Sequence, residues 1–188
     1  MQRWHSENRG EVFCTNTLLF LIISFLGWAG ETVYALVAAG QLCDRGFLTL
    51  PFCPIYGFSV LLIYALLGTP QEGGWILRGV KKPLWRLSFY VFFSILIPTV
   101  AELITGWFFH RTFGILLWDY SSKPLNLGGY ICLEFSLAWG VMIPLGMGLL
   151  FPRLRGWVKT LPRKLAFLLS VGFSVLLCAD LVLAWLFR

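Results

Sequence analysis

The sequence predicts an all-α integral membrane protein, a five-helix transmembrane bundle forming one domain over 1–188, and three observations carry that expectation. Hydrophobic residues make up 58% of the 188-residue chain and charged residues only 13%, against about 25% charged in an average soluble domain; the mean hydropathy is +0.77. Apolar stretches near the roughly 20 residues that a helix needs to cross a bilayer recur along the whole length. The bases collect in short clusters between those stretches, as they do in cytoplasmic loops.

The expected spans are 17–39, 53–68, 87–109, 130–151 and 164–187. The first opens like a secretory signal, with an Arg-containing lead and the apolar run Leu18–Leu26. Hydrophobicity resumes after Glu31 and continues to Ala39, so the segment reads as a retained helix. The second, beginning near Pro54, is the shortest, and a re-entrant path there would invert everything downstream. The third carries Pro98, which removes one helical hydrogen bond four residues before Glu102. The fourth follows Gly128-Gly129, and the fifth follows the basic stretch from Arg153 to Lys164.

With the N-terminus inside, the inner side receives Arg3, Arg9, Arg78, Lys81, Lys82, Arg86, Arg153, Arg155, Lys159, Arg163 and Lys164, eleven bases in all. The outer side receives four, Arg45, Arg111, Lys123 and Arg188, so an N-in, C-out orientation is expected. The formal charge of +6 is thereby absorbed by topology and by contact with anionic lipid headgroups, which argues against nucleic-acid binding. Five cysteines without CxxC or Cys/His spacing indicate neither a zinc site nor a disulfide framework. Cys43 and Cys53 share the first outer loop and could be bridged in an oxidising compartment.

Acidic residues carry the functional signal. Of nine in the chain, Glu31, Glu102, Glu134 and Asp180 lie in or at the edge of apolar stretches, where a charge costs on the order of 2.5–3.5 kcal/mol at mid-helix on insertion scales. In the N-in orientation all four fall in the outer half of the bundle. Gly27, Glu31 and Tyr34 share one helix face, so the Tyr34 hydroxyl could donate to Glu31 or to a neighbouring helix. Arg45 and Arg111 in the outer loops are the natural partners for the carboxylates, or could hold an anionic solute. Those loops mix aromatics, turn formers and both charges, through Asp44-Arg45-Gly46, His110-Arg111, Trp118-Asp119-Tyr120-Ser121 and Asn126. Against a binding role stand buried polar staples for the acids and an interfacial aromatic belt for the loops. His110 could act as a base near Ser121 or Cys132, though no spacing requires it, and Walker, HExxH and GxSxG sequences are absent.

A weak parallel repeat relates Glu31…Asp44-Arg45…Ile55-Tyr56-Gly57 to Glu102…Arg111…Asp119…Gly129-Tyr130-Ile131. Each half pairs an acid-bearing helix with an Arg- and Asp-containing loop and a helix opening on Tyr and Gly.

The ordered segments GWAGETVY, DRGFLTLPFCPIYGF, AELITG, LLWDYS and NLGGYICLEFSLAWG, from about Phe20 to Gly140, resemble the small bacterial membrane proteins known as ABC-transporter type IV or CmpB-like permeases. The resemblance carries over Glu31, Tyr34, Arg45, Gly46, Pro54, Tyr56 and Gly57 from the first half, and Glu102, Gly106, Trp118, Asp119, Tyr120, Asn126 and Gly129 from the second. Leu50 departs from the pattern, which expects glycine before the proline. The resemblance implies a multi-pass protein of the bacterial cytoplasmic membrane.

Together these readings predict a transport protein with an outward-facing site for a small polar or ionic solute, lined by Glu31, Tyr34, Arg45, Tyr56, Glu102, Arg111, Asp119, Tyr120, Asn126 and Glu134. No cofactor and no metal are expected, and an ATPase, if ATP supplies the energy, would be a separate chain. Whether the protein is an enzyme stays open: the same polar face would suit a membrane enzyme acting on a lipid or lipid-linked substrate from the outer side. An accessory subunit, with its charges pairing helices inside a larger complex, is the third reading.

Overall fold

A computed structural model describes residues 8–40 and 48–187. Arg45 and the Cys43–Cys53 pairing therefore lie outside the described residues. Helix α1 (Arg9–Ala39) starts about two turns before the expected span because Asn8 caps it, its side chain accepting from the Gly10 N–H at 3.3 Å. Helix α2 (Pro54–Leu67) matches its expected position. Helix α3 (Pro83–Phe113) is longer than the span at 87–109, opening on Pro83 and closing on Gly114, whose left-handed φ of 69° lets its N–H return to the His110 carbonyl.

The region from 130 starts differently from expectation. Two short antiparallel strands, β1 (Asn126–Leu127) and β2 (Ile131–Cys132), form a hairpin over Gly128 and Gly129, both with positive φ. Only then does helix α4 (Leu133–Leu145) begin, and it continues through a π-helical turn at Gly146–Leu150 into α5 (Phe151–Lys159), well past residue 151. Helix α6 (Arg163–Phe187) corresponds to the fifth span.

Among the described residues, four stretches are long and apolar enough to cross a membrane: Arg9–Val37, Pro83–Phe113, Leu133–Lys159 and Arg163–Ala184. The chain is thus a multi-pass membrane protein by length and composition. The second helix is the exception, since its 14 residues rise only about 21 Å against a hydrocarbon core of roughly 30 Å. Folded segments occupy both its ends. Leu48 and Cys53 are buried before it; after it Thr69 is buried, Gly68 and Gly74 meet backbone to backbone, and the Ile76 N–H reaches back to the Leu66 carbonyl at 2.9 Å.

The chain forms two compact units, one from Met1–Leu62 with Arg153–Arg188 and the other from Ile63–Pro152. In the first, α1 and α6 run parallel: Arg163 pairs with Glu11, and the Ser170 hydroxyl donates to the Cys14 carbonyl at 3.3 Å. The start of α2 lies antiparallel on α1, where Gly57 faces Ser24 and Phe20 and Gly27 faces Tyr56 with no room for a β-carbon at either. In the second unit α3 and α4 pack antiparallel, Gly140 seating Ile95 as Gly106 seats Tyr130. The Tyr90 hydroxyl, fully buried, donates to the Gly68 carbonyl at 2.9 Å and ties α3 to the end of α2.

These glycines differ in what a side chain would meet, and that difference is measurable. Gly27→Ala should destabilise the purified protein by about 1–3 kcal/mol because the new methyl overlaps the Tyr56 ring. Gly30→Ala, on the same helix with open space beside it, should be neutral or stabilise by up to about 1 kcal/mol. Thermal unfolding of the two variants in one detergent is the check.

Candidate functional site

In the first unit the expected carboxylate–phenol pair exists, but with a different tyrosine. Gly27 sits one turn before Glu31 and lets the Tyr56 ring lie against α1, which brings its hydroxyl to Glu31 Oε1 at 2.6 Å. That length lies within the ordinary range of an O–H···O hydrogen bond. Tyr34, placed on the same face by its spacing, is 67% exposed and makes no hydrogen bond among the described residues. The reason is geometric: a partner across the helix interface, admitted by glycine, reaches the acid better than a neighbour one turn along.

Asp180, left out of the expected site, is only 5% exposed. It accepts from the Thr49 hydroxyl and, at 3.0 Å, from the Leu50 N–H. On the other side of the same loop the Cys53 N–H donates to the Ser24 carbonyl on α1 at 3.0 Å. Residues 48–53 are thus tied to both α1 and α6, and the backbone of Leu50, where glycine was expected, is the part that Asp180 holds. The sequence signal was the acid itself, in an otherwise apolar helix.

In the second unit Glu102 stands on α3 one turn beyond Pro98. Trp139 of α4 donates its indole N–H to Oε1 at 3.2 Å, while Oε2 is buried without a hydrogen-bond partner among the described residues. Sequence reasoning missed Trp139. An indole that is partly buried in an apolar segment needs an acceptor, so AWG within the fourth stretch was the available clue.

The loop between α3 and α4 is a self-contained scaffold. The Asn126 amide donates to the Ser121 and Lys123 carbonyls at 3.2 and 2.8 Å, and its oxygen accepts from the Gly129 N–H at 3.2 Å. Trp118 donates to the Tyr130 carbonyl at 2.7 Å, and the Tyr130 hydroxyl meets His110 Nδ1 at 2.8 Å. Tyr120 stacks on Phe135 with ring centroids 4.8 Å apart. Lys123 pairs with Glu134 at 2.9 Å, the two side chains 39% and 58% exposed, so the bond contributes at most about 1 kcal/mol. Asp119, Tyr120, Asn126 and Glu134 accordingly build this loop.

Arg45 lies outside the described residues, and among them the carboxylates meet other donors. Glu31 is met by Tyr56, Glu102 by Trp139, and Glu134 by Lys123. Arg111 makes no ion pair among the described residues; it lies in the last turn of α3, where a cation complements the helix dipole. Glu31 and Asp180 belong to one unit and Glu102 and Glu134 to the other.

Asp119 supplies a pH test of the loop. The Ser121 backbone N–H donates to its carboxylate at 2.8 Å, and with the Ser121 hydroxyl holds the carboxyl below the ordinary value of 3.8. A carboxyl lowered by folding stabilises the folded form above its unfolded pKa, and that contribution fades as pH falls through the lower folded value. Hydrogen exchange at the Ser121 amide should therefore stay protected down to about pH 4 and rise only below it. In Asp119→Asn the protection should be weaker and independent of pH in that window.

No curated protein and no solved structure matches the chain. A family model does match, over residues 18–185, which extends the resemblance beyond Gly140 to take in Asp180. The chain belongs to the family described as "Putative ABC-transporter type IV".

Proposed function

We propose that this protein is the membrane-embedded, permease-like component of a transport system, with polar stations for a small polar or ionic solute at Glu102 and at Glu31–Tyr56. The observation that carries the reading is the buried Glu102 Oε2, which has no hydrogen-bond partner among the described residues. A group whose only task is to join two helices has both oxygens occupied, whereas one that exchanges a ligand leaves donor or acceptor capacity inside an apolar span. Pro98, four residues earlier, adds a carbonyl without a helical donor, a feature shared with transport sites built on broken helices. The family match supports a transport assignment at the level of its name. If ATP drives the process, the ATPase is a separate chain.

For the bacterial cytoplasmic membrane we adopt the N-in, C-out orientation. The charge count of eleven bases against four supports its direction, and parity supports termini on opposite sides. Parallel packing of α1 and α6 puts their first turns on the same side, so an even number of crossings separates them. Helices α1, α3 and α4 supply three, and α2 with its flanking segments supplies the fourth. Non-helical backbone is tolerated at membrane depth where protein buries it. In a cysteine-free background, a cysteine at Thr160 should react with an impermeant maleimide only after the cells are opened, and one at Ser122 in intact cells. The reverse pattern would discard the orientation.

The transport reading is tested in a deletion strain carrying the wild type, Glu31→Gln or Glu102→Gln, screened for uptake of radiolabelled inorganic ions and small polar metabolites. Both variants should lose the uptake that the wild type restores, at unchanged amounts of protein in the membrane. Wild-type uptake in Glu102→Gln would sink the proposal. Accumulation of a single lipid precursor in the deletion strain, with uptake unchanged, would favour the membrane-enzyme reading instead.

A further inference from the structure

The first unit holds a cavity of about 450 Å³ where the opening turns of α1 and α6 meet the end of α5. That volume suits a small ligand or one end of a larger one. Glu11, Lys159 and Arg163 supply its charged lining, and Cys14, Val158, Ala166 and Phe167 its apolar lining. Cys14 and Val158 are buried, whereas Phe167 is 56% exposed, so protein closes one part of the apolar wall and another borders the lipid. Because α1 and α6 run parallel, the change from Glu11 to Cys14 and that from Arg163 to Phe167 go in the same direction. The second takes about 6 Å. A cavity that turns from charged to apolar within one helical turn fits an amphiphile, with the headgroup among the bases and the chains along Phe167.

Surrounding charge sets the sign of that headgroup. Arg9, Arg153, Arg155, Lys159, Arg163 and Lys164 lie on these segments, and among the described residues of the same turns Glu11 is the only acid. Arg163 pairs with Glu11, but a guanidinium has five N–H donors, and one carboxylate leaves some of them for a further acceptor. Its side chain stays 82% exposed. Exposed Trp157, next to Val158, agrees with this depth, since tryptophan concentrates at headgroup level. We infer that the cavity binds the headgroup of one acidic glycerophospholipid, its phosphate held by Lys159 and Arg163 and its acyl chains passing along Phe167. In the adopted orientation the lipid belongs to the inner leaflet, and its binding requires neither a transported solute nor the stations at Glu31 and Glu102.

The test uses the purified full-length chain in a nonionic detergent, titrated with dioleoylphosphatidylglycerol or dioleoylphosphatidylcholine and read by native mass spectrometry as lipid retained per chain. One phosphatidylglycerol should be retained at concentrations where phosphatidylcholine is not. Lys159→Gln should weaken that retention about fivefold, the effect of one base near an anionic headgroup. Ala166→Leu, which fills the cavity and leaves every charge in place, should weaken it as well. Lys81→Gln combined with Lys82→Gln should leave it unchanged, because those bases lie outside the cavity. Equal retention of the two lipids overturns the site, as does undiminished retention in both cavity variants. A loss in the Lys81 and Lys82 double variant as large as in Lys159→Gln would mean diffuse attraction and overturn it too. Capture of inorganic phosphate, with phosphatidylglycerol ignored, would assign the cavity to a free anion and discard the lipid.

Discussion

A carboxylate in an apolar helix must be given donors, and that requirement organises the packing in both units. Glu31 is met by a phenol, Asp180 by a hydroxyl and a backbone N–H, and Glu102 by an indole. In each of these contacts the donor comes from a different element than the acid. Each acid therefore fixes a tertiary contact in a medium where lipid offers no donor and apolar surface gives helices little reason to associate. The first loop shows the effect most directly: Asp180 holds residues 49 and 50 through groups that would otherwise lie unsatisfied.

Close approach is the second constraint, and glycine provides it. Gly27 and Gly57 let α1 and α2 meet at side-chain depth in the first unit, while in the second Gly140 does the same for α3 and α4 and Gly106 seats the Tyr130 ring ahead of α4. The two requirements are linked. Tyr56 reaches Glu31 because Gly27 admits its ring, and Tyr130 lies on Gly106 with its hydroxyl on His110. Both halves thus seat a tyrosine on a helix glycine near an acid, but the acid is bonded by that tyrosine only in the first. In the second Trp139 takes over, and the glycine stands four residues after the acid rather than four before it.

The loop between α3 and α4 separates scaffold from chemistry. Asp119 and Asn126 have the polarity expected of ligands, yet their atoms close a hairpin in which Gly128, Gly129 and Leu125 all take positive φ. Polar side chains in a turn serve the backbone first, because each buried or bent amide needs a partner. Glu102 does keep unused capacity among the described residues, on a helix that proline has already deprived of one bond.

Composition and punctuation by themselves determined the helical membrane class, the position of each apolar stretch and the acids that stand out within them, because these follow from transfer energies and local backbone preference. The caps at Asn8 and Gly114 refined the helix ends, and the hairpin before Leu133 was hidden because its two-residue strands leave no periodicity. Pairing belonged to tertiary structure alone. Spacing put Tyr34 beside Glu31, whereas Tyr56 came from 25 residues away to bond it; Trp139 and Asp180 acquired their roles from chains of contact that no local pattern encodes. Hydropathy registers that a carboxylate is out of place in an apolar helix, but which donor meets it depends on which helices pack and where glycine lets them touch.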